Sequence, residues 1–321
     1  MKETVVIAHP NFALVKYWGK KDSNQNRPAM SSISVTVDSM ISKTKIFKNF
    51  KSNHHQLFIN GIEEYDLSKI LPPLEYLSEF SGTDEYLVIE SQNNFPTSSG
   101  LASSASGIAS FVTAYDAHYN LCLDINHKVE ASMLGSGSAP RSLIGGFVLM
   151  DHKNDYRCSQ ILKEPEWPLD VLICIASKEP KEISSREGME ISKKTSPIYQ
   201  DWLDVNDKHI NLALNAIKNK DMAGLENVTE ENCKLMHEVM KTSIPSISYM
   251  TEVTYRCLSE IENLRSLGHK LFYTIDAGPQ VKIICDPTSS EIIKNRIIET
   301  TDVIDIIHAG IGGPPKILNE S

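Results

Sequence analysis

The sequence predicts an α+β protein of two domains, and three observations support this class. The chain has 321 residues, more than one domain usually contains, and 41% of them are hydrophobic, as in ordinary globular proteins. After residue 166 the predicted elements are a strand, helices, two strands, a helix and a strand, which is the split β-α-β order of ferredoxin-like folds. A polar segment at 155–168 contains Pro165 and Pro168, and we interpret it as the boundary between domains at 1–165 and 166–321.

The first domain is predicted to combine a sheet with helices. Strands are expected where apolar and polar residues alternate or where short apolar runs occur, at 4–8, 31–37, 41–47, 56–59 and 86–91, with another after Gly145-Gly146. Asn60-Gly61 is a strong signal for a tight hairpin turn. Helices are expected at 67–80, where Pro72-Pro73 interrupts the pattern, from Leu101 onward, and at 126–134.

The second domain is predicted to begin with an apolar strand at 169–176, followed by a loop that contains Ser184, Ser185 and Arg186. Further helices are expected at 210–218, 222–240, 248–267 and 290–300, and further strands at 270–275, 281–285 and 303–308. The Gly-Pro-rich segment from Gly310 is expected to be a loosely packed end.

The charge and the cysteines limit the possible partners. The net charge is -9 and there is no block of Lys and Arg, which argues against a nucleic-acid or anionic-membrane surface. An acidic protein that binds a polyanion must gather its few cations locally. The six Cys residues are scattered without metal-ligand spacing, which favours reduced, structural thiols in a cytosolic protein. The N-terminus has no long apolar segment, so we expect neither a secretion signal nor a membrane span.

A Gly- and Ser-rich stretch at 93–106, NNFPTSSGLASSAS, runs into a predicted helix. Thr97, Ser98 and Ser99 are favourable N-cap residues. The free N–H groups and the positive dipole of a helix start can bind an anion, so the stretch is a candidate phosphate cradle. The alternative is an ordinary capped helix that packs closely through its small residues.

Three further stretches contain residues suited to an anionic ligand. In FALVKYWGKKD, Lys16 and Lys20 bracket Tyr17-Trp18-Gly19; cations beside apolar walls are suited to an anion, although a surface strand edge also explains one Lys. In GSGSAPRSLIGG at 135–146, Gly and Ser donors accompany Arg141, which suits a carboxylate or phosphate unless the segment is only a flexible turn. Asp276 follows a strand and precedes a Gly-Pro turn, where it either stabilises the turn or faces a cleft between the domains.

PTSSGLASSAS resembles the phosphate loop of the GHMP kinase superfamily. Together with NFALVKYWGKKD, SSISVTVD, GSGSAPRSLIGGF and TIDAGPQVK, it makes the chain from Ala8 to Asp286 similar to mevalonate diphosphate decarboxylases. The resemblance implies the GHMP-kinase two-domain architecture, with an N-terminal β/α domain and a C-terminal ferredoxin-like α/β sandwich. It also implies a cytoplasmic homodimer of the mevalonate pathway that uses ATP and Mg²⁺ to convert mevalonate 5-diphosphate to isopentenyl diphosphate, ADP, phosphate and CO₂.

The resemblance also implies roles for individual residues. Asp276 would orient or deprotonate the C3 hydroxyl, with Lys16 and Arg141 completing a catalytic trio and Arg141 holding the substrate carboxylate. The substrate would be bound by Tyr17, Lys20, Ser136, Gly137, Ser138, Ser185 and Arg186. ATP would be bound by Pro96, Ser99, Gly100, Leu101, Ala102, Ser103 and Ser104, and Ser104 would also lie near Mg²⁺.

The chain departs from the family pattern in a few places. It has Met30 where members often have Asn, Met133-Leu134 where two basic residues are common, and Pro140 beside Arg141. Relatives of this fold phosphorylate mevalonate at C3 without decarboxylation, or accept the 5-monophosphate. The complete trio disfavours the first alternative, and Lys20 with Arg186 disfavours the second. A non-catalytic binding protein of the same fold is the alternative from another functional class.

Overall fold

The computed structural model describes residues 2–22, 25–96 and 101–320. Within these ranges it mixes helices and sheets, which confirms the predicted α+β class. The strands are β1 (Glu3–Ala8), β2 (Asn11–Val15), β3 (Lys20–Asp22), β4 (Arg27–Pro28), β5 (Ser32–Thr36), β6 (Ser42–Lys48), β7 (Gln56–Ile59), β8 (Ile62–Glu64), β9 (Leu87–Asn93), β10 (Phe147–Asp151), β11 (Arg157–Leu162), β12 (Asp170–Ile175), β13 (Leu271–Ile275), β14 (Val281–Cys285), β15 (Asp305–Ala309) and β16 (Lys316–Glu320).

The α-helices are α1 (Leu71–Ser81), α2 (Ser103–Tyr119), α3 (Ile125–Gly135), α4 (Ala139–Ser142), α5 (Ser185–Thr195), α6 (Tyr199–Asp204), α7 (Asn206–Asn219), α8 (Met222–Lys241), α9 (Glu252–Ser266) and α10 (Ser290–Thr301). A short 3₁₀ turn spans Glu164–Glu166. In the part of the chain that the structure describes, none of the helices has both the length and the apolar character needed to cross a membrane.

The first large sheet has the strand order β16-β1-β6-β9-β7-β8 and is covered by α2, which packs against β1 and β6. Val6, Ile46 and Ile89 of the sheet share a buried cluster with Ile108 and Phe111 of α2. Because α2 is the helix that follows the candidate phosphate cradle, this packing fixes where the start of the helix points.

Two four-stranded sheets frame the remainder of the core. The sheet β11-β10-β5-β2 contains β5, all five residues of which are buried. The sheet β13-β14-β12-β15 is antiparallel and has the strand order of a ferredoxin-like fold, as predicted. One buried cluster extends from Phe12 and Ile33 on the first of these sheets to Ile173 and Phe272 on the second. The core is therefore shared across the proposed domain division at 165/166, which stays a prediction.

Several local predictions were wrong for identifiable reasons. Pro72 and Pro73 begin α1 instead of interrupting it, because proline is tolerated in the first turn, where its missing N–H group is not needed. Ser185 and Arg186 lie in the first turn of α5 and not in a loop. Strand β11 lies within the polar segment 155–168, a strand that the sequence analysis did not predict; the domain boundary placed there stays a prediction.

The C-terminal segment is not loosely packed. Strand β16 pairs with β1 and extends the first sheet, with Ile7 opposite Lys316 and Thr4 opposite Glu320. The two strands are joined by backbone hydrogen bonds between distant parts of the chain, so local composition does not reveal the pairing.

Candidate active site

Asp276 lies immediately after β13, in the turn that leads to β14, and its carboxylate pairs with Lys16. The Nζ atom of Lys16 is 2.6 Å from Oδ1 of Asp276 and also donates a hydrogen bond to the backbone O of Ala13 at 3.0 Å. The Lys16 backbone N–H donates to Oδ1 of Asn232 at 2.8 Å. Lys16 is therefore buried at the end of β2, and a surface strand edge does not describe its environment.

A second lysine, Lys282 on β14, contacts the other oxygen of the same carboxylate. Its Nζ atom lies 3.2 Å from Oδ2 of Asp276, its side chain is 0% exposed, and the ammonium group lies 4.9 Å from the centre of the Phe12 ring. No motif in the sequence had pointed to a role for Lys282. The available signal was a lysine inside the apolar strand VKIIC, where a charge without a partner would be costly.

The two lysines determine the charge of Asp276. Burial alone would raise the pKa of the carboxyl group, but the charges of Lys16 and Lys282 outweigh burial and hold the pKa of Asp276 well below its usual value. Burial lowers the pKa of Lys282, while the negative charge of Asp276 raises it. Asp276 is thus an anion that can accept a hydrogen bond from a hydroxyl group.

Arg141 lies on α4 and is almost fully buried, with neutral hydrogen-bond partners. Its Nε donates to Oδ1 of Asn11 at 3.2 Å and to Oγ of Ser34 at 3.0 Å, and Nη1 donates to Oγ of Ser32 at 2.6 Å. Among the described residues, no carboxylate lies within ion-pair distance of Arg141, and burial lowers its pKa. Neutral partners orient the guanidinium group without cancelling its charge. Asn11, Ser32 and Ser34 were not predicted from the sequence to have a role in the site.

Lys20 and Arg186 meet at one amide oxygen. The Nζ atom of Lys20 donates to Oδ1 of Asn26 at 2.5 Å, and Nη2 of Arg186 donates to the same atom at 2.8 Å. The amide of Asn26 is held by donation to the backbone O of Leu134 at 2.6 Å. Burial first, and Arg186 second, lower the pKa of Lys20 to about 8. Asn26 was also missed, because its role depends on contacts with residues far away in the sequence.

The stretch 135–138 connects α3 to α4 as a tight segment. Oγ of Ser136 lies 3.1 Å from Oγ of Ser138. A Cβ atom on Gly137 would lie 2.9 Å from both the backbone O of Asn26 and Oη of Tyr17, so only glycine fits without displacement. Across the cavity, Ser185 accepts a hydrogen bond at 2.8 Å from Lys181, whose pKa burial lowers to about 8.

Helix α2 begins at Ser103, and among the described residues no side chain caps its start. The preceding residue, Ala102, has φ of 56° and makes no capping hydrogen bond, and Nζ of Lys69 lies 3.5 Å from Oγ of Ser104. Both interpretations of this stretch have support: a helix start that no described side chain caps suits an anion, and Ser106 packs against β6 with its Oγ 2.6 Å from Oγ of Ser42. The predicted caps Thr97, Ser98 and Ser99, and the predicted ligand Gly100, lie outside the described residues.

These groups line one cavity of about 560 Å³. All but one of the predicted site residues that the structure describes line this cavity: Lys16, Tyr17, Lys20, Leu101, Ala102, Ser103, Ser104, Ser136, Gly137, Ser138, Arg141, Ser185, Arg186 and Asp276. The exception is Pro96, which is not a lining residue. The charged lining residues of the cavity are the cations Lys16, Lys20, Lys69, Arg141, Lys181 and Arg186 and the anions Asp66 and Asp276. A chain with a net charge of -9 thus concentrates positive charge here, and the cavity suits a ligand with several negative charges.

The residues that depart from the family pattern do not line this cavity. Met30 is buried in an apolar cluster that also contains Trp18 and Trp202. Met133 is buried, and Pro140 lies in the first turn of α4, where proline is favourable.

Comparisons with family models, curated relatives and solved structures all match this chain over most of its length to the same family. The family model of the diphosphomevalonate decarboxylase-like N-terminal domain matches residues 8–160, and that of the mevalonate 5-diphosphate decarboxylase C-terminal domain matches residues 171–305. The diphosphomevalonate decarboxylase of Candida albicans is 31% identical over 312 residues, 91% of this chain and 86% of the relative. That of Saccharomyces cerevisiae is 32% identical over 298 residues, 85% of this chain and 75% of the relative.

Solved structures show the same likeness. The mevalonate diphosphate decarboxylase of Staphylococcus aureus has a TM-score of 0.92 and 32% identity, covering 99% of this chain and 98% of its own. A complex of the protein named MDDEF with MVAPP, AMPPCP and magnesium has a TM-score of 0.91 and 29% identity, covering 100% of this chain and 99% of its own.

Proposed function

The chain belongs to the diphosphomevalonate decarboxylase family, and from this premise we propose that it converts mevalonate 5-diphosphate and ATP to isopentenyl diphosphate, ADP, phosphate and CO₂. The observation that carries the proposal is the meeting of Asp276, Lys16 and Arg141 in one cation-lined cavity. These residues come from three separate parts of the chain, and each offers a group that the reaction needs.

The chemistry explains why such a trio is required. Loss of CO₂ sends an electron pair toward C3, so the tertiary hydroxyl at C3 must leave, and a phosphate ester leaves far more readily than hydroxide. Asp276 accepts a hydrogen bond from the C3 hydroxyl and orients it toward the phosphoryl donor. Arg141, with its charge unpaired by any described carboxylate, holds the substrate carboxylate until the C1–C2 bond breaks, when the electrons of that bond form the C2=C3 double bond and phosphate leaves C3.

The diphosphate group has a matching site in Lys20 and Arg186. Asn26 holds the two cations together through an uncharged oxygen, so both positive charges remain available for the ligand. Two full charges beside each other favour a diphosphate over a monophosphate. Ser136, Gly137, Ser138 and Tyr17 form the adjoining wall.

The residues at the start of α2 fit the phosphates of ATP. A helix start that no described side chain caps, the small residues Ala102 and Ser103, and the nearby Lys69 allow a phosphate chain to approach the backbone closely. Ser104 offers a hydroxyl to Mg²⁺. When bound, ATP and Mg²⁺ supply the phosphoryl group and neutralise the charge that develops during its transfer.

The test is a stoichiometry experiment with purified protein, ATP, Mg²⁺ and mevalonate 5-diphosphate. We expect one CO₂ and one phosphate for each ADP. ADP without CO₂ would identify a 3-kinase, and faster turnover of the 5-monophosphate would identify a monophosphate decarboxylase. Binding of substrate without any ADP would identify a non-catalytic binding protein. The intact Asp276–Lys16 pair with Arg141 favours the first outcome.

On the resemblance alone, we also propose that the protein acts as a cytoplasmic homodimer in the mevalonate pathway. Light scattering on the purified protein checks the assembly: a mass of twice 35.8 kDa is expected, and a monomer at all concentrations would contradict it.

A further inference from the structure

Asp276 is held by two lysines that differ in their access to the cavity. Lys16 lines the cavity, whereas Lys282 is not among its lining residues and is 0% exposed. Each lysine contacts a different oxygen of the carboxylate, at 2.6 Å for Lys16 and 3.2 Å for Lys282. One ammonium group can therefore reach an incoming anion, and the other is fixed behind the carboxylate.

The β13–β14 hairpin explains why Lys282 stays in place. Thr274 pairs with Lys282 across the two strands, and Oγ1 of Thr274 donates to the backbone O of Ala13 at 2.8 Å. Ala13 also accepts the hydrogen bond from Lys16. The hairpin and the end of β2 are thus tied together around Asp276, and Lys282 lies within this framework, which is the arrangement expected of a preorganised charge.

We propose that Lys282 is a positioning residue of the reaction, a permanent counter-ion that keeps the Asp276 carboxylate charged and oriented while Lys16 turns toward the anionic substrate. The inference rests on the proposed function. A negatively charged substrate draws Lys16 away from Asp276, and without Lys282 the partly exposed carboxylate would then have no counter-ion beside it and would take up a proton more readily. A protonated Asp276 would no longer accept the hydrogen bond of the C3 hydroxyl.

Other titratable groups also face Asp276, and their titration must be distinguished from that of Asp276 in any pH experiment. Arg141, Tyr17 and Lys181 lie on the cavity side, and Cys233 and His237 face it from α8. Burial lowers the pKa of His237 to about 4 and raises that of the Cys233 thiol. Burial raises the pKa of Tyr17, and Lys181 changes charge only near its pKa of about 8. Between pH 5 and 7 these groups keep constant charges, so a new acid limb in this range reports Asp276.

The test compares Lys282→Met with wild type and with Lys234→Met, which removes an exposed lysine of α8. We expect Lys282→Met to lower kcat, to leave the KM for mevalonate 5-diphosphate within about two-fold, and to move the acid limb of kcat upward into the range between pH 5 and 7. Lys282→Arg is expected to restore the acid limb, and Lys234→Met to leave the profile unchanged. Adding His237→Gln to Lys282→Met should leave the new limb in place.

An acid limb of Lys282→Met that coincides with the wild-type limb would overturn the assignment, as would an effect on KM alone. If Lys282→Met does not fold, Lys282→Gln provides the same comparison with a polar neutral side chain. A second readout does not depend on catalysis: the ¹³C resonance of the Asp276 carboxyl, identified by its loss in Asp276→Asn, should titrate at higher pH in the Lys282 variant. Absence of CO₂ release by the wild-type protein would instead reject the proposed function, and the carboxyl titration would still decide the role of Lys282.

Discussion

The Nζ atom of Lys16 lies 2.6 Å from Oδ1 of Asp276, although 260 residues separate the two in the sequence. The pair joins the end of β2 to the turn between β13 and β14, and both residues line the same cavity. An ion pair that is largely removed from water is held only if the surrounding structure supports it. The pair is therefore the structural link between the two halves of the candidate site.

Asp276→Asn is expected to reduce turnover by on the order of 10²–10⁴-fold while ATP still binds. The amide cannot replace the negative charge, and it leaves the buried Lys16 and Lys282 without their counter-ion, so a lower Tm is also expected. Steady-state rates, nucleotide titration and thermal unfolding measure the three effects. Asp286→Asn, which changes an exposed aspartate immediately after β14, is the matched control. Near-normal turnover in Asp276→Asn would remove its proposed role.

Arg141→Lys is expected to reduce kcat/KM by about 10- to 100-fold, because lysine keeps the charge but loses the planar fork that Asn11, Ser32 and Ser34 orient. Arg157→Lys on strand β11, where the side chain is exposed, is the matched control and should leave the rate unchanged. Equal kcat/KM values for wild type and Arg141→Lys would show that the guanidinium group of Arg141 does not hold the substrate carboxylate.

Gly137→Ala is expected to raise the KM for the diphosphate substrate, since the new methyl group would lie 2.9 Å from the backbone O of Asn26 and from Oη of Tyr17. Relief of such overlap typically costs about 1–3 kcal/mol. Gly107→Ala in helix α2 meets no atom within 4 Å, so it should leave the KM unchanged and raise the Tm slightly. An unchanged KM in Gly137→Ala would mean that the wall at 136–138 does not touch the substrate.

Substrate binding is expected to weaken above pH 8. Lys20 and Lys181 have pKa values of about 8 in the free protein, so raising the pH through that value removes two positive charges from the cavity and should raise the KM. Lys20→Arg keeps its charge throughout this range and should reduce the rise. KM values measured between pH 7 and 9.5 test this. A KM that is constant across the range, or that falls, would contradict the placement of these lysines at the anion.

The sequence predicted the segments of the site better than it predicted the contacts within them. Lys16, Arg141 and Asp276 lie in recognisable motifs, and the ferredoxin-like strand order followed from element order alone. Asn26, Lys282 and the pairing of β16 with β1 were missed. Each depends on a partner more than 80 residues away or across a hairpin, and local patterns carry no information about such partners. The prolines at the start of α1 were misinterpreted for a different reason. Proline breaks a helix when it lies in the helix interior, but it is favourable in the first turn, and the sequence alone did not show which position applied.

The central claim is that the tertiary alcohol is first esterified and then expelled as phosphate within this cavity. Mevalonate 5-diphosphate carrying ¹⁸O in its C3 hydroxyl group tests it most directly, with ATP, Mg²⁺ and mass analysis of the phosphate released. The account predicts that the label appears in inorganic phosphate in step with CO₂. Unlabelled phosphate accompanying CO₂ would contradict it, because the C3 oxygen would then have left without having been phosphorylated.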